Sequence, residues 1–155
     1  MDENAGKLVK LLRLIGYDTL FFTGENDTLL VKKALGEDRI ILTRDTYIIR
    51  RRLVTGGRVK ALLIQSDDVD EQIEQVTREL KLDSDSQPFT ICLECNQPLF
   101  KRTREEVKDR VPPYVWQTQN KYVECPQCRR IYWKGTHWAA MKKRLTRLGI
   151  RLLED

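Results

Sequence analysis

Long apolar runs are missing from this chain of 155 residues. Those it has, such as Ile40-Ile41-Leu42, fall far short of the roughly 18 residues that cross a bilayer. Membrane insertion is therefore not expected. No apolar leader core follows the start, Met1-Asp2-Glu3-Asn4, so secretion is not expected either and a cytoplasmic location is. Internal repeats and low-complexity tracts are absent, which excludes stacked-repeat architectures. Cysteine does not occur before position 92, and histidine occurs once, at 137. What is present is a 41% hydrophobic and 33% charged composition, which fits a soluble globular chain rather than a disordered one. The length suits one ordinary domain, or one domain with a small metal-stapled module.

The charge is unevenly placed. The whole chain carries +5, but residues 1–83 carry −1 and residues 84–155 carry +6. A basic module beside a near-neutral one suits a phosphate-backbone partner, and equally a solvated surface that keeps the protein soluble. The break falls at Asp83-Ser84-Asp85-Ser86-Gln87-Pro88, a polar stretch ending in proline.

Before the break, helical and extended patterns alternate. Leu8, Leu11, Leu12 and Ile15 follow helical spacing, with Gly16 as a stop. Tyr17–Phe22 reads as a strand. Asp27–Leu35 reads as a helix stopped by Gly36, and Arg39–Thr43 as a buried strand. A helix from Tyr47 runs to Gly56-Gly57, and Val59–Ile64 reads as a strand. Val69, Ile73, Val76 and Leu80 then mark an amphipathic helix with acidic residues in its first turn. Such alternation predicts an α/β fold with a parallel sheet between helices. After the break, Thr103–Arg110 reads as a short helix ended by Pro112-Pro113. Lys121–Glu124 and Arg129–Lys134 read as strands. Trp138, Met141, Leu145 and Leu148 form the apolar stripe of a final basic helix.

All four cysteines fall in the basic part, as Cys92-x-x-Cys95 and Cys125-x-x-Cys128 with 29 residues between the pairs. Two-residue spacing lets both thiolates of a pair reach one tetrahedral ion, and four thiolates leave no open position. The spacing predicts a structural zinc rather than disulfides or a redox pair. A small module with little core draws much of its folding energy from such an ion.

The acidic residues of the first part are candidates for a second metal. Asp45 follows a strand, where parallel sheets gather ligands. Asp27 opens a helix, Asp2 precedes the first helix, and Glu37 precedes the Arg39–Thr43 strand. Clustered carboxylates suit Mg²⁺ or Mn²⁺, which activate water and stabilise phosphoryl transition states. Each also has a plainer reading, as a helix cap or a solvated charge. For nucleic-acid contact the candidates are Arg44, Lys101, Arg102, Arg104, Arg129, Arg130, Lys134 and His137. Aromatic residues of the ribbon offer stacking faces, or a limited core.

Several stretches, taken in order, resemble one family. They are Asp2-Glu-Asn-Ala-Gly-Lys-Leu, Leu12-Arg-Leu-Ile-Gly-Tyr-Asp-Thr19, Leu42-Thr-Arg-Asp45, Cys92-x-x-Cys95-Asn96, Val111-Pro-Pro-Tyr114, Cys125-Pro-x-Cys128 and Tyr132-Trp-Lys-Gly-Thr-His-Trp138. The chain resembles the Mut-seven C-terminal RNase domain family along nearly its whole length. The resemblance implies a PIN-like domain over 1–83 whose first strand is missing or truncated, a linker at 84–88, and a zinc ribbon with a C-terminal helix over 89–155. It implies a metal-dependent endoribonuclease in which Asp2, Asp27 and Asp45, with Glu37 beside them, hold Mg²⁺ or Mn²⁺, and the ribbon aids RNA binding. One departure is visible: the family places about five apolar residues before the first aspartate, and only Met1 stands there here. It sets a second expectation, a noncatalytic RNA-binding or adaptor protein. A third is a nuclease held in check by a regulatory protein partner.

Overall fold

The computed structural model describes residues 3–82 and 87–153. Helix α1 (Glu3–Leu14) is followed by α2 (Asp27–Glu37), β1 (Ile41–Thr43), the single turns α3 (Thr46–Ile49) and α4 (Arg52–Thr55), β2 (Ala61–Leu63) and α5 (Val69–Glu79). The second part holds β3 (Phe100–Arg102), α6 (Arg104–Val107), α7 (Pro113–Thr118), β4 (Tyr122–Glu124), β5 (Ile131–Tyr132) and α8 (Thr136–Arg147). The result is a mixed α/β protein with a parallel two-stranded sheet, β1 beside β2, and an antiparallel sheet in the order β3-β4-β5.

Local chemistry explains the helix ends. Gly16 takes a left-handed φ of 97°, its N–H bonds Arg13 O at 3.0 Å, and Tyr17 N–H bonds Leu12 O at 3.0 Å. This paired pattern closes α1. A side chain at position 16 would collide with the backbone of Gln87, so the glycine also permits the return of the chain. Gly36 does not stop α2. The helix runs through it, and Asp38 takes the left-handed conformation instead. Asn26, not Asp27, is the N-cap of α2, accepting from Thr28 N–H at 2.9 Å and Leu29 N–H at 3.3 Å. Asp68 caps α5 in the same way.

The expected strand at Tyr17–Phe22 is not formed. Strands need a paired neighbour, and β1 pairs with β2 alone. The segment is tied by side chains instead. Arg13 Nε donates to Thr19 O at 2.9 Å, and Thr19 N–H donates to Asn96 Oδ1 at 2.9 Å. The helix expected from Tyr47 to the glycine pair is broken into α3 and α4, and that expected over Thr103–Arg110 covers only α6.

Burial divides into three clusters. The largest joins α1 (Leu8, Leu11, Leu12), Ile15 and α5 (Ile73, Val76) with Leu145 and Ile150 from the C-terminal end of the chain. Helix α8 thus packs on α1 and α5, and Arg144 Nε binds Asp70 at 2.6 Å. A second cluster joins Val31, Ala34, Ile41, Ile48 and Val59. The third, Val107, Val111, Val115 and Tyr122, is the small core of the ribbon. No helix among the described residues is long and apolar enough to cross a membrane.

Candidate functional site

The four cysteines lie together, with their sulfurs all within 4.8 Å of one another. Two matching loops place them. In the first, Cys95 N–H approaches Cys92 Sγ at 3.5 Å, Asn96 N–H bonds Cys92 O at 3.0 Å, and Cys92 N–H bonds Gln97 O at 2.8 Å. In the second, Cys128 N–H approaches Cys125 Sγ at 3.5 Å, Arg129 N–H bonds Cys125 O at 3.0 Å, and Cys125 N–H bonds Arg130 O at 3.0 Å. Asn96 and Arg129 hold the equivalent left-handed position, at φ 59° and 66°. Backbone N–H groups aimed at sulfur favour the thiolate form. Although burial opposes it, the Tyr132 hydroxyl 3.3 Å away and the backbone N–H groups of Cys95 and Glu94 bring the Cys92 thiol down to about 7. Burial, with the neighbouring sulfurs, pushes Cys95 up to about 12. Four sulfurs in two such loops fit a closed tetrahedral ion such as zinc.

The first loop is also the joint between the two parts. Arg13, 7% exposed, donates from Nη1 to the carbonyls of Leu93 at 2.7 Å and Glu94 at 3.2 Å. Lys10 pairs with Glu94 at 2.7 Å. Asn96 donates to Asp18 at 2.5 Å, and Arg39 meets the same carboxylate at 3.0 and 3.1 Å. These hydrogen bonds, the Arg39 one foremost, hold the Asp18 carboxyl below its ordinary range against its burial. Arg13, Asp18 and Asn96 all stand in stretches that carry the family resemblance, but their contacts join residues about 80 positions apart, and sequence spacing carries no sign of that.

The acidic candidates are placed as follows. Asp45 stands two residues past β1 and caps α3, its Oδ1 accepting from Tyr47 N–H at 2.8 Å. Asp27 opens α2, with Arg51 Nη2 3.9 Å from its carboxylate. Glu37, at the end of α2, pairs with Lys33 and Arg39 at 2.6 Å each, which lowers its carboxyl. Asp27, Glu37 and Arg44 line one open cleft of about 700 Å³. Its other walls come from α1, the 17–24 segment, α2 and β1, with Leu8, Leu12, Leu30 and Ala34 among them. Asp2 lies outside the described residues. Among the described residues the cysteines alone form a group of three or more metal-ligating side chains close enough to share an ion.

The basic candidates divide. Arg102 and Arg129 converge on Glu124, at 2.8 and 2.9 Å, where Arg110 joins them at 2.8 Å. Glu124 is 1% exposed, and these guanidiniums bring its carboxyl down to about 2 although burial opposes it. Its inward place beside Tyr122 on a strand was the available sign of this role. Arg104 lies over the ring of Trp116 at 4.0 Å and donates to Trp116 O at 2.9 Å. Arg44 pairs with Asp67. Lys101, Arg130, Lys134 and His137 are exposed, the last in the first turn of α8.

The family model of the Mut7-C RNAse domain matches residues 1–145 of the chain. The chain belongs to that family. No curated protein and no solved structure shows significant similarity to it. An RNase-domain family points to a nuclease-like role, and this Mut7-C chain brings four sulfurs close enough to hold a structural metal such as zinc.

Proposed function

We propose that this chain is a divalent-metal-dependent endoribonuclease that hydrolyses RNA phosphodiesters, built as a PIN-like domain over 1–83 and a zinc ribbon over 89–155. Membership of an RNase family along residues 1–145 carries the reading. The end of β1 supports it, since a carboxylate two residues past a parallel strand stands where such sheets bind ligands. Asp27 and Glu37 share the adjoining cleft.

The described carboxylates do not by themselves make a complete ion site, so the metal reading needs Asp2 to join Asp27 and Asp45. Mg²⁺ or Mn²⁺ bound there would lower the pKa of a water and offset charge on the phosphoryl group. The chain's own residues do the rest. Asp45 has one carboxylate oxygen committed to the Tyr47 N–H, which fixes its rotamer. Arg51 Nη2 stands 3.9 Å from the Asp27 carboxylate, an exposed pair that leaves the carboxylate open to other contacts. Zinc in the ribbon would be structural, held by Cys92, Cys95, Cys125 and Cys128.

The decisive experiment is cleavage of a mixed RNA pool with Mn²⁺, beside an EDTA control and Asp45→Asn, with zinc content checked in the same preparation. Asparagine caps a helix as well as aspartate does. The variant therefore keeps α3 and removes only the charge. Cleavage abolished by Asp45→Asn is expected. Undiminished cleavage in that variant, or none from folded, zinc-loaded wild type, would sink the assignment, the latter in favour of RNA binding without cutting.

A further inference from the structure

The ribbon's arginines are mostly committed to the protein itself. One stretch of the first part shows the reverse. Between Thr46 and Ser66 the sequence holds Arg50, Arg51, Arg52, Arg58 and Lys60 and no acidic residue. Arg50, Arg52, Arg58 and Lys60 are exposed, as is Lys32 on α2. None of these five makes a side-chain hydrogen bond or ion pair with another described residue. Arg51 alone turns inward. Its Nη1 donates to Thr28 Oγ1 at 2.9 Å, and its Nη2 lies 3.9 Å from the Asp27 carboxylate.

Lys32, Arg51 and Arg52 line a groove of about 330 Å³ between α2 and α4, with Val31 and Leu53 as apolar walls. Three cations around an apolar depression suit a nucleic-acid backbone, in which charged phosphates alternate with less polar sugars. The groove also has a direction. Asp27 borders it through Arg51, and α3, a single turn, separates Arg50 from Asp45.

We propose that this groove binds the phosphate backbone of the RNA and leads it to the acidic end of β1, with Lys32, Arg50 and Arg52 as backbone contacts and Arg51 as the residue that positions Asp27. The proposal rests on the ribonuclease reading and moves the main RNA contact from the ribbon to the first part of the chain.

The test measures binding of a labelled single-stranded RNA to the full, zinc-loaded chain across a salt series, with no divalent ion added. It compares wild type with Lys32→Ala/Arg52→Ala and with Lys101→Ala/Arg130→Ala. Both altered groove residues are exposed and without partners, so thermal unfolding should match wild type. Each phosphate contact contributes about 0.7 to the logarithmic salt slope on single strands, so the groove variant should lose about 1.4. Affinity should fall alike for RNAs of different sequence, and the ribbon variant should lose less of both. An unchanged slope and affinity in the groove variant, with wild type binding and cleaving RNA, overturns the groove alone. Wild type that neither binds nor cleaves RNA overturns the ribonuclease reading and the groove with it. Groove-dependent binding to phosphatidylserine vesicles, without groove-dependent RNA binding, overturns the proposal in favour of a membrane surface.

Discussion

Two stretches of this molecule, one in each part, hold their arginines in opposite ways. The ribbon has little core, four buried aliphatic or aromatic residues around Val107 and Tyr122. It compensates with sulfur loops and with a buried carboxylate on which three arginines close. The first part has two apolar clusters and two strands, and its arginines at 50, 52 and 58 are left to solvent. A higher net charge therefore does not mean a better anion surface. The part with +6 commits Arg102, Arg110 and Arg129 to Glu124, while one stretch of the part with −1 leaves Arg50, Arg52 and Arg58 without a partner among the described residues.

The largest expected effect tests whether the two parts stand apart. Structural zinc contributes roughly 10–16 kcal/mol in isolated zinc-finger peptides. Its removal by a strong chelator, or Cys92→Ser, is expected to abolish the near-ultraviolet signal of Trp116 and Trp133, which pack on the ribbon core. The far-ultraviolet signal of α1, α2 and α5 should largely persist. Loss of both together would make the protein one cooperative unit and end the contrast.

Next in size is the apolar core. Ile73 is 0% exposed at the centre of the first cluster, and Ile73→Ala is expected to cost about 2–5 kcal/mol in denaturant unfolding. Glu124→Gln should cost about 2 kcal/mol at neutral pH, since it removes a charged partner from three arginines. Its pH dependence sharpens the comparison further. The carboxyl is depressed in the fold, so its stabilisation is complete above the unfolded value and disappears as pH falls through the folded one. Wild type should therefore lose stability between the ordinary value of 4.5 and about 2, and Glu124→Gln should show a shallower loss over that window.

Smaller effects probe the joint. Arg13→Lys keeps the charge but not the fork that reaches Thr19, Leu93 and Glu94, and should cost about 1–2 kcal/mol. Amide exchange should rise in residues 17–22 and in the first cysteine loop together. The smallest effect is that of Asp45→Asn, which should alter thermal stability by under about 0.5 kcal/mol while removing the charge beside β1.

Much of this was legible in the sequence where the cause is local. The cysteine loops need two-residue spacing, which the sequence displays, and a left-handed residue after each pair, which Arg129 does not announce by its type. The amphipathic stripe of α5 and the glycine after α1 are equally local. What failed depended on distant neighbours. Tyr17–Phe22 has the composition of a strand, but no strand pairs with it among the described residues. Gly36 looked like a stop, yet Asp38 turns the chain. The pairing of Arg102 and Arg129 with Glu124 has no sign in the sequence spacing either. Asp27 and Asp45 were recognisable by family pattern, and Asp27 and Glu37 do share a cleft. Asp2, the third carboxylate of the proposed site, lies outside the described residues.

The packing of α8 has a consequence for biosynthesis. Leu145 and Ile150 fill the cluster that Leu8 and Ile15 begin, at the opposite end of the chain. A nascent chain that has emerged as far as β2 and α5 holds the helices of its first core but not the side chains that seal it. Contacts of such long sequence separation slow folding and leave apolar surface uncovered meanwhile. Leu8, Leu12 and Ile15 therefore lack part of their cover until α8 has been made and has docked.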